Sequence, residues 1–243
     1  MLLIVMAMAI WWAQNQTLIA TTPDANETSV TAAPPTTTTT EPSATNEPPA
    51  TVTGSTKARD ILETLVVKGR AAKTGYARTQ FGEGWTFIGN CDTRNIILNR
   101  DLTSVTVSQA CKVQSGVLND PYTGTSISFV RGPESSDDIQ IDHVVALSNA
   151  WQTGAQQLDK SVRISLANDP LELLAVDGSA NQAKGDGDAA TWLPANKAFR
   201  CQYVARQIAV KAKYKLWVTA AEKSAMQAVL THCPDETVPA VQN

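Results

Sequence analysis

Two histidines occur in the 243-residue chain, and one of them, His143, sits directly behind an acid at the end of a β-like run, Ile139-Gln140-Ile141-Asp142-His143-Val144-Val145. Two asparagines follow in turn-like settings, Asn168 before Asp169-Pro170 and Asn181 at the head of Asn181-Gln182-Ala183-Lys184-Gly185-Asp186. Hydrolysis of a phosphodiester needs an activated water, neutralised phosphate charge and help for the leaving oxygen. An imidazole that titrates near neutrality suits the first task. A hard divalent cation held by a carboxylate and an amide oxygen, with positions left for water and phosphate, suits the other two. Asp142, His143 and Asn181 supply these three side-chain types.

These residues lie far apart in number, so the elements between them must bring them together. The pattern predicts a strand over Ile139 to Val145, a helical stretch over Ser148 to Gln157 carrying Trp151, and a second short strand at Leu171, Leu173 and Leu174. An Asp177-Gly178 turn then leads to Asn181 near a helix start. Successive residues of a strand point to opposite faces, so Asp142 and His143 can share a site only if the strand ends or bulges there.

Upstream, Ala58 to Lys68 reads as a helix closed by Gly69, with Ile61, Leu62, Leu65 and Val66 at helical spacing. Val105 to Val113 and Ser126 to Val130 alternate as strands, and Asp120-Pro121-Tyr122-Thr123-Gly124 marks a turn between them. A long helical region runs from Pro194 to about Leu230, with a break expected near Tyr214 to Thr219. The fold class expected is α+β: a small antiparallel sheet packed by helices.

Composition divides the chain. Residues 22–56 hold Thr36 to Thr40 and five prolines between Pro34 and Pro49, with no aromatic residue, and cannot bury enough apolar surface to offset ordering. They are expected to be a disordered Thr/Pro-rich linker. Residues 1–21 open on an apolar run ending in Trp11-Trp12, shorter than the ~20 residues of a membrane span. That suits a signal peptide, or an N-terminal anchor to a membrane or cell surface, because neither a basic n-region nor a small-x-small cleavage site is present. The folded domain is expected over 57–234, with a tail at 235–243. Four of the 23 acids lie in 1–56 and two in the tail, which leaves 57–234 with 20 basic and 17 acidic residues. That balance is compatible with a polyanionic partner without requiring one.

Cys91, Cys111, Cys201 and Cys233 form no Cys-x-x-Cys pair, which argues against a zinc ribbon. Behind an apolar N-terminus they are expected to pair as sequence neighbours, Cys91–Cys111 and Cys201–Cys233, in an oxidising, extracellular compartment. Seven basic residues between Lys197 and Lys223 face only Glu222 as an acid. They read either as an ordinary solvated face or as a phosphate-tracking one; on the second reading Arg200 and Lys211 share a helix face and are the first substrate contacts to test.

The Asp142-His143-Val144-Val145 run, Asn168 and the Asn181-x-x-Lys184-Gly185-Asp186 box together resemble the HNH (ββα-metal) endonucleases. Among these the chain is most similar to a secreted branch related to the C-terminal nuclease of the GmrSD restriction enzymes. The likeness extends to Gly75-Tyr76, Cys91-Asp92-Thr93-Arg94, Asp120-Pro121-Tyr122-Thr123-Gly124, Gly154-Ala155, Trp192-Leu193-Pro194 and Cys201-x-Tyr203. The resemblance implies a ββα motif with His143 as general base and Asp142 and Asn181 as metal ligands. It further implies that Asn168 braces the loop presenting the site, and that Lys184 and Asp186 contact phosphate or support the ligands. The long spacing from His143 to Asn181, and asparagine in place of a second histidine, depart from a minimal motif. A carboxylate–amide pair favours Mg²⁺ or Mn²⁺ over Zn²⁺. The expected partner is nucleic acid, DNA first, with no organic cofactor. The alternatives are a non-catalytic surface-binding module on a stalk and a hydrolase of other phosphate esters.

Overall fold

The computed structural model describes residues 57–133 and 137–239. The expected signal or anchor segment, the linker up to residue 56 and residues 240–243 lie outside the described residues. Among the described residues, no helix is long and apolar enough to cross a membrane.

The chain runs α1 (Ala58–Thr64), a 3₁₀ turn (Arg78–Phe81), β1 (Phe87–Ile88), β2 (Cys91–Asp92), α2 (Thr93–Asp101), β3 (Leu102–Val107), β4 (Val113–Asn119) and β5 (Ser126–Val130). It continues β6 (Ile139–His143), α3 (Leu147–Gln152), a 3₁₀ turn (Ala155–Gln157), α4 (Lys160–Ala167), β7 (Leu173–Asp177) and α5 (Gly178–Lys184). A third 3₁₀ turn (Lys197–Phe199), α6 (Arg200–Lys213) and α7 (Ala220–Leu230) complete it. The class is α+β, but the strands form three small antiparallel sheets, β1-β2, β3-β4-β5 and β6-β7, rather than one.

The β6–β7 pair lies between the two hydrophobic cores of the described residues, and its period-2 pattern explains why. Ile139, Ile141, Leu173 and Ala175 project to one face, into a core built with Ile97 and Leu98 of α2 and Leu102, Val113, Leu118 and Phe129 of β3–β5. Leu174 and Val176 project to the other, into a larger core with Leu62, Leu166, Val204 and Ile208 from the helices. On α6, Tyr203, Val204, Gln207, Ile208 and Lys211 recur at three- and four-residue spacing and are buried as one stripe.

Several expected boundaries move for identifiable reasons. α1 stops at Thr64 because the chain beyond it becomes extended and pairs with Val218, through the Val67–Val218 bridge and a bond from Lys68 N–H to the Val218 carbonyl. The alternation over Val105 to Val113 belongs to two strands: Ser108 N–H bonds to the Lys112 carbonyl and folds the segment into a hairpin. The Ser148 to Gln157 helix breaks at Gly154, whose φ of 132° is a left-handed conformation and whose missing Cβ makes room for the Trp217 ring. The break expected between α6 and α7 is present. Both disulfides form as paired in sequence order, Cys91–Cys111 and Cys201–Cys233. Residues 235–238 belong to the folded body: Thr237 bridges Lys57, Ala58 N–H bonds to the Glu236 carbonyl and Val238 is buried.

Candidate functional site

β7 passes straight into α5, so the β6–β7 pair and α5 form a strand–strand–helix unit, with α3 and α4 inserted between the strands. The Asp177 carboxylate accepts the Ala180 N–H and caps the helix. Gly178 has no room for a Cβ, which would lie 2.1 Å from the Asp137 carbonyl oxygen. α5 then presents Asn181 and Lys184, one turn apart, to β6. Asn181 Nδ2 donates to Gln140 Oε1 at 2.8 Å, and Lys184 Nζ donates to Asp142 Oδ1 at 2.8 Å and to the His143 carbonyl at 2.7 Å. Gln140 and Asp142 are two residues apart, hence on one strand face.

The register of β6 with β7 has no bulge, and β6 ends at His143. Asp142 and His143 still meet one space, because β6 is flanked by β7 on one side only among the described residues. A cleft of about 850 Å³ is lined by all five residues of β6 together with Asn181 and Asp186. Residues of both strand faces therefore border it along the open edge, Asp142 and His143 among them.

His143 is only 6% exposed, and its ring is held from two sides. The Trp85 indole stacks on it with 5.9 Å between centroids and 6° between planes, and Nε2 lies 3.0 Å from the Ala167 carbonyl. A carbonyl only accepts, so Nε2 carries the proton and Nδ1 is left as the acceptor. Burial, followed by the nearby Arg78 charge, lowers the His143 pKa to about 3, below the near-neutral titration expected from the sequence, so the ring is neutral at any physiological pH. The Asp142 carboxylate, 5% exposed, receives Lys184 on Oδ1 and the Tyr122 hydroxyl on Oδ2. Tyr122 is set by the turn that Asp120 organises: one Asp120 oxygen takes Thr123 N–H and Oγ1, and the other takes the Asp177 N–H. Thus the Asp120-Pro121-Tyr122-Thr123-Gly124 motif pins both the acid and the start of α5.

A family model for the C-terminal domain of the GmrSD restriction endonucleases matches residues 92–229. The chain belongs to that family. It is also 38% identical over 187 residues, 76% of this chain and 89% of the relative, to an uncharacterized secreted protein of Arthroderma benhamiae. No solved structure matches. Membership in the GmrSD C-terminal family makes the protein nuclease-related. The secreted relative and the two disulfides place it outside the cell.

Within this family member, the expected supporting residues divide by position. Asn168 accepts the Thr86 N–H through Oδ1 and donates to the Ile164 carbonyl, so it ties the loop bearing Trp85 to α4. Lys184, expected at phosphate or behind the ligands, is 3% exposed and lies behind Asp142. Asp186 is on the cleft rim, bonded to Ser148 Oγ and Lys73, and the Lys73 ammonium holds its pKa below the usual carboxylate range.

The expectation for Lys211 is corrected. Its side chain is fully buried, paired with Glu222 and bonded to Asn149 and the Trp217 carbonyl, so it cannot touch a substrate. It sits on the apolar stripe of α6, and sequence spacing alone could not tell an inward cation from an outward one. Arg200 is half-buried, donates to the Pro194 carbonyl and does not line the cleft. Sequence reasoning missed Trp85, Tyr122 and Arg78. Tyr122 carried a signal only as part of a turn motif shared with the family likeness, and Trp85 carried none. Among the described residues Cys201, Cys233 and Glu236 bring three potential metal donors together, but the two sulfurs are bonded to each other.

Proposed function

We propose that the protein is an extracellular, metal-dependent endonuclease of the HNH type that hydrolyses nucleic-acid phosphodiester bonds with His143 as general base. The observation that carries this is the fixed, neutral imidazole of His143, with Nδ1 as its acceptor, in a cleft that Asp142 and Asn181 also line. The donor chemistry fits a hard cation. Each Asp142 oxygen takes one hydrogen bond and keeps a lone pair, and Asn181 spends its Nδ2 on Gln140, not its carbonyl oxygen. Asp142 and Asn181 would hold Mg²⁺ or Mn²⁺, which when bound neutralises phosphate charge and favours departure of the leaving oxygen.

The chain's own groups do the rest. His143 Nδ1 takes a proton from water as the water oxygen bonds to phosphorus. The bond from phosphorus to the leaving oxygen breaks, and that oxygen takes a proton from solvent. The Ala167 carbonyl and the Trp85 ring keep the imidazole from turning as it becomes charged. Tyr122 and Lys184 fix the Asp142 carboxylate. Residues 1–56 would supply export or anchoring and a stalk.

Plasmid nicking tests the proposal. Supercoiled DNA should be cut with Mg²⁺ or Mn²⁺, not in excess chelator, and His143→Ala should lower the rate by about 10²–10⁴-fold. A folded wild-type protein that cuts no DNA or RNA under any divalent cation would refute it.

A further inference from the structure

The cations in and behind the cleft have unequal commitments. Lys184 is buried against Asp142, Lys73 is paired with Asp186 at 3.2 Å, and Arg94 is half-buried with Asp92 and Asp137 acting on it. Arg78 differs. It opens the 3₁₀ turn Arg78–Phe81 and is exposed, and its guanidinium makes no hydrogen bond or ion pair with any described residue. Its backbone is nevertheless held in place. Phe81 is buried beneath the turn, and the Gln80 carbonyl accepts from Arg163 Nε at 3.0 Å.

Arg78 also occupies a particular place. It lines the main cleft and, with Trp85, His143 and Ala167, an adjoining recess of about 140 Å³. The same wall carries three carboxylates, those of Asp137, Asp142 and Asp186. A phosphodiester brought to His143 adds a further negative charge, and Asp137, Asp142 and Asp186 would oppose it at close range. A planar guanidinium with no competing acid, standing next to the base, is the group suited to that charge. It can donate to both non-bridging oxygens at once.

We propose that Arg78 binds the non-bridging oxygens of the substrate phosphate that His143 faces, and so sets where along the cleft the nucleic-acid backbone is held. This rests on the nuclease reading above. The test separates binding from hydrolysis by using His143→Ala protein without divalent metal and a fluorescent DNA oligonucleotide across a salt series. Adding Arg78→Ala should weaken binding about ten- to a hundredfold and reduce the slope of log affinity against log salt by about 0.7–0.9, one phosphate contact. Arg78→Lys should restore the slope but only part of the affinity. Arg59→Ala, an exposed arginine of α1 away from the cleft, should change neither. Unchanged affinity and slope in Arg78→Ala would overturn the role of Arg78 while leaving the nuclease reading intact. Failure of the parent protein to bind any nucleic acid would overturn both.

Discussion

At the scale of single residues, burial decides the charge state of the histidine in the cleft. His143 has its folded pKa pushed below the value it has in an unfolded chain, chiefly by desolvation. As pH falls below about 6.5 the unfolded chain takes the proton first, so this contribution to stability is complete above 6.5 and is lost progressively down to about 3. The loss is about 1.4 kcal/mol per pH unit within that window. Glu172, fully buried, has its pKa raised by desolvation and acts in the opposite sense, contributing stability that fades as pH rises above 4.5. Comparing metal-free wild type with His143→Gln isolates the histidine. The stability difference between them should shift steadily against wild type from pH 6.5 to 3 in urea titrations. Cleavage should also lack an acid limb centred near 6.5. Lys184→Met makes a second test at this scale. It leaves the Asp142 carboxylate buried without its cation, and should cost about 3–5 kcal/mol by urea unfolding, along with activity. The residue types of this centre were readable from the sequence. Asp142, His143 and Asn181 do line one cleft, because strand pairing and a helix start follow from local pattern. The partners that hold them were not readable. Tyr122 lies 20 positions from Asp142, and Trp85 lies 58 from His143; such distant contacts are fixed only by the packing of whole elements.

At the scale of elements, the strand–strand–helix unit depends on the junction between β7 and α5. Gly178 N–H bonds to the Asp138 carbonyl at 2.8 Å, and the carbonyl of Asp137 fills the space a Cβ would need. The obstacle is backbone, so it cannot swing aside as a side chain would. Gly178→Ala should destabilise the fold by about 1–3 kcal/mol and lower cleavage more than stability loss explains, because Asn181 and Lys184 ride on the displaced helix. Equal melting temperatures and equal cleavage rates for the two proteins would refute this. Element type was easier to read than element extent. The α6–α7 break, both disulfides and the strands around the site follow from pattern. The ends of α1 and α3 do not, because Val218 and Trp217, far along the chain, decide where those helices stop.

At the scale of the whole molecule, the two hydrophobic cores of the described residues share one wall, and that wall is the β6–β7 pair, whose first strand carries Asp142 and His143. Cys91–Cys111 and Cys201–Cys233 staple the ends of the chain segments around these cores, a reinforcement suited to life outside the cell. The wall cannot detach from one core without exposing both, so small local openings should spare it. In deuterated buffer, the backbone amides of Leu174 and Val176, which face β6, should exchange only when the entire domain comes apart, while those of the β1–β2 turn exchange early. A cleft built this way would stay assembled until global collapse, so the proposed activity should be lost abruptly on heating rather than by gradual loosening around it.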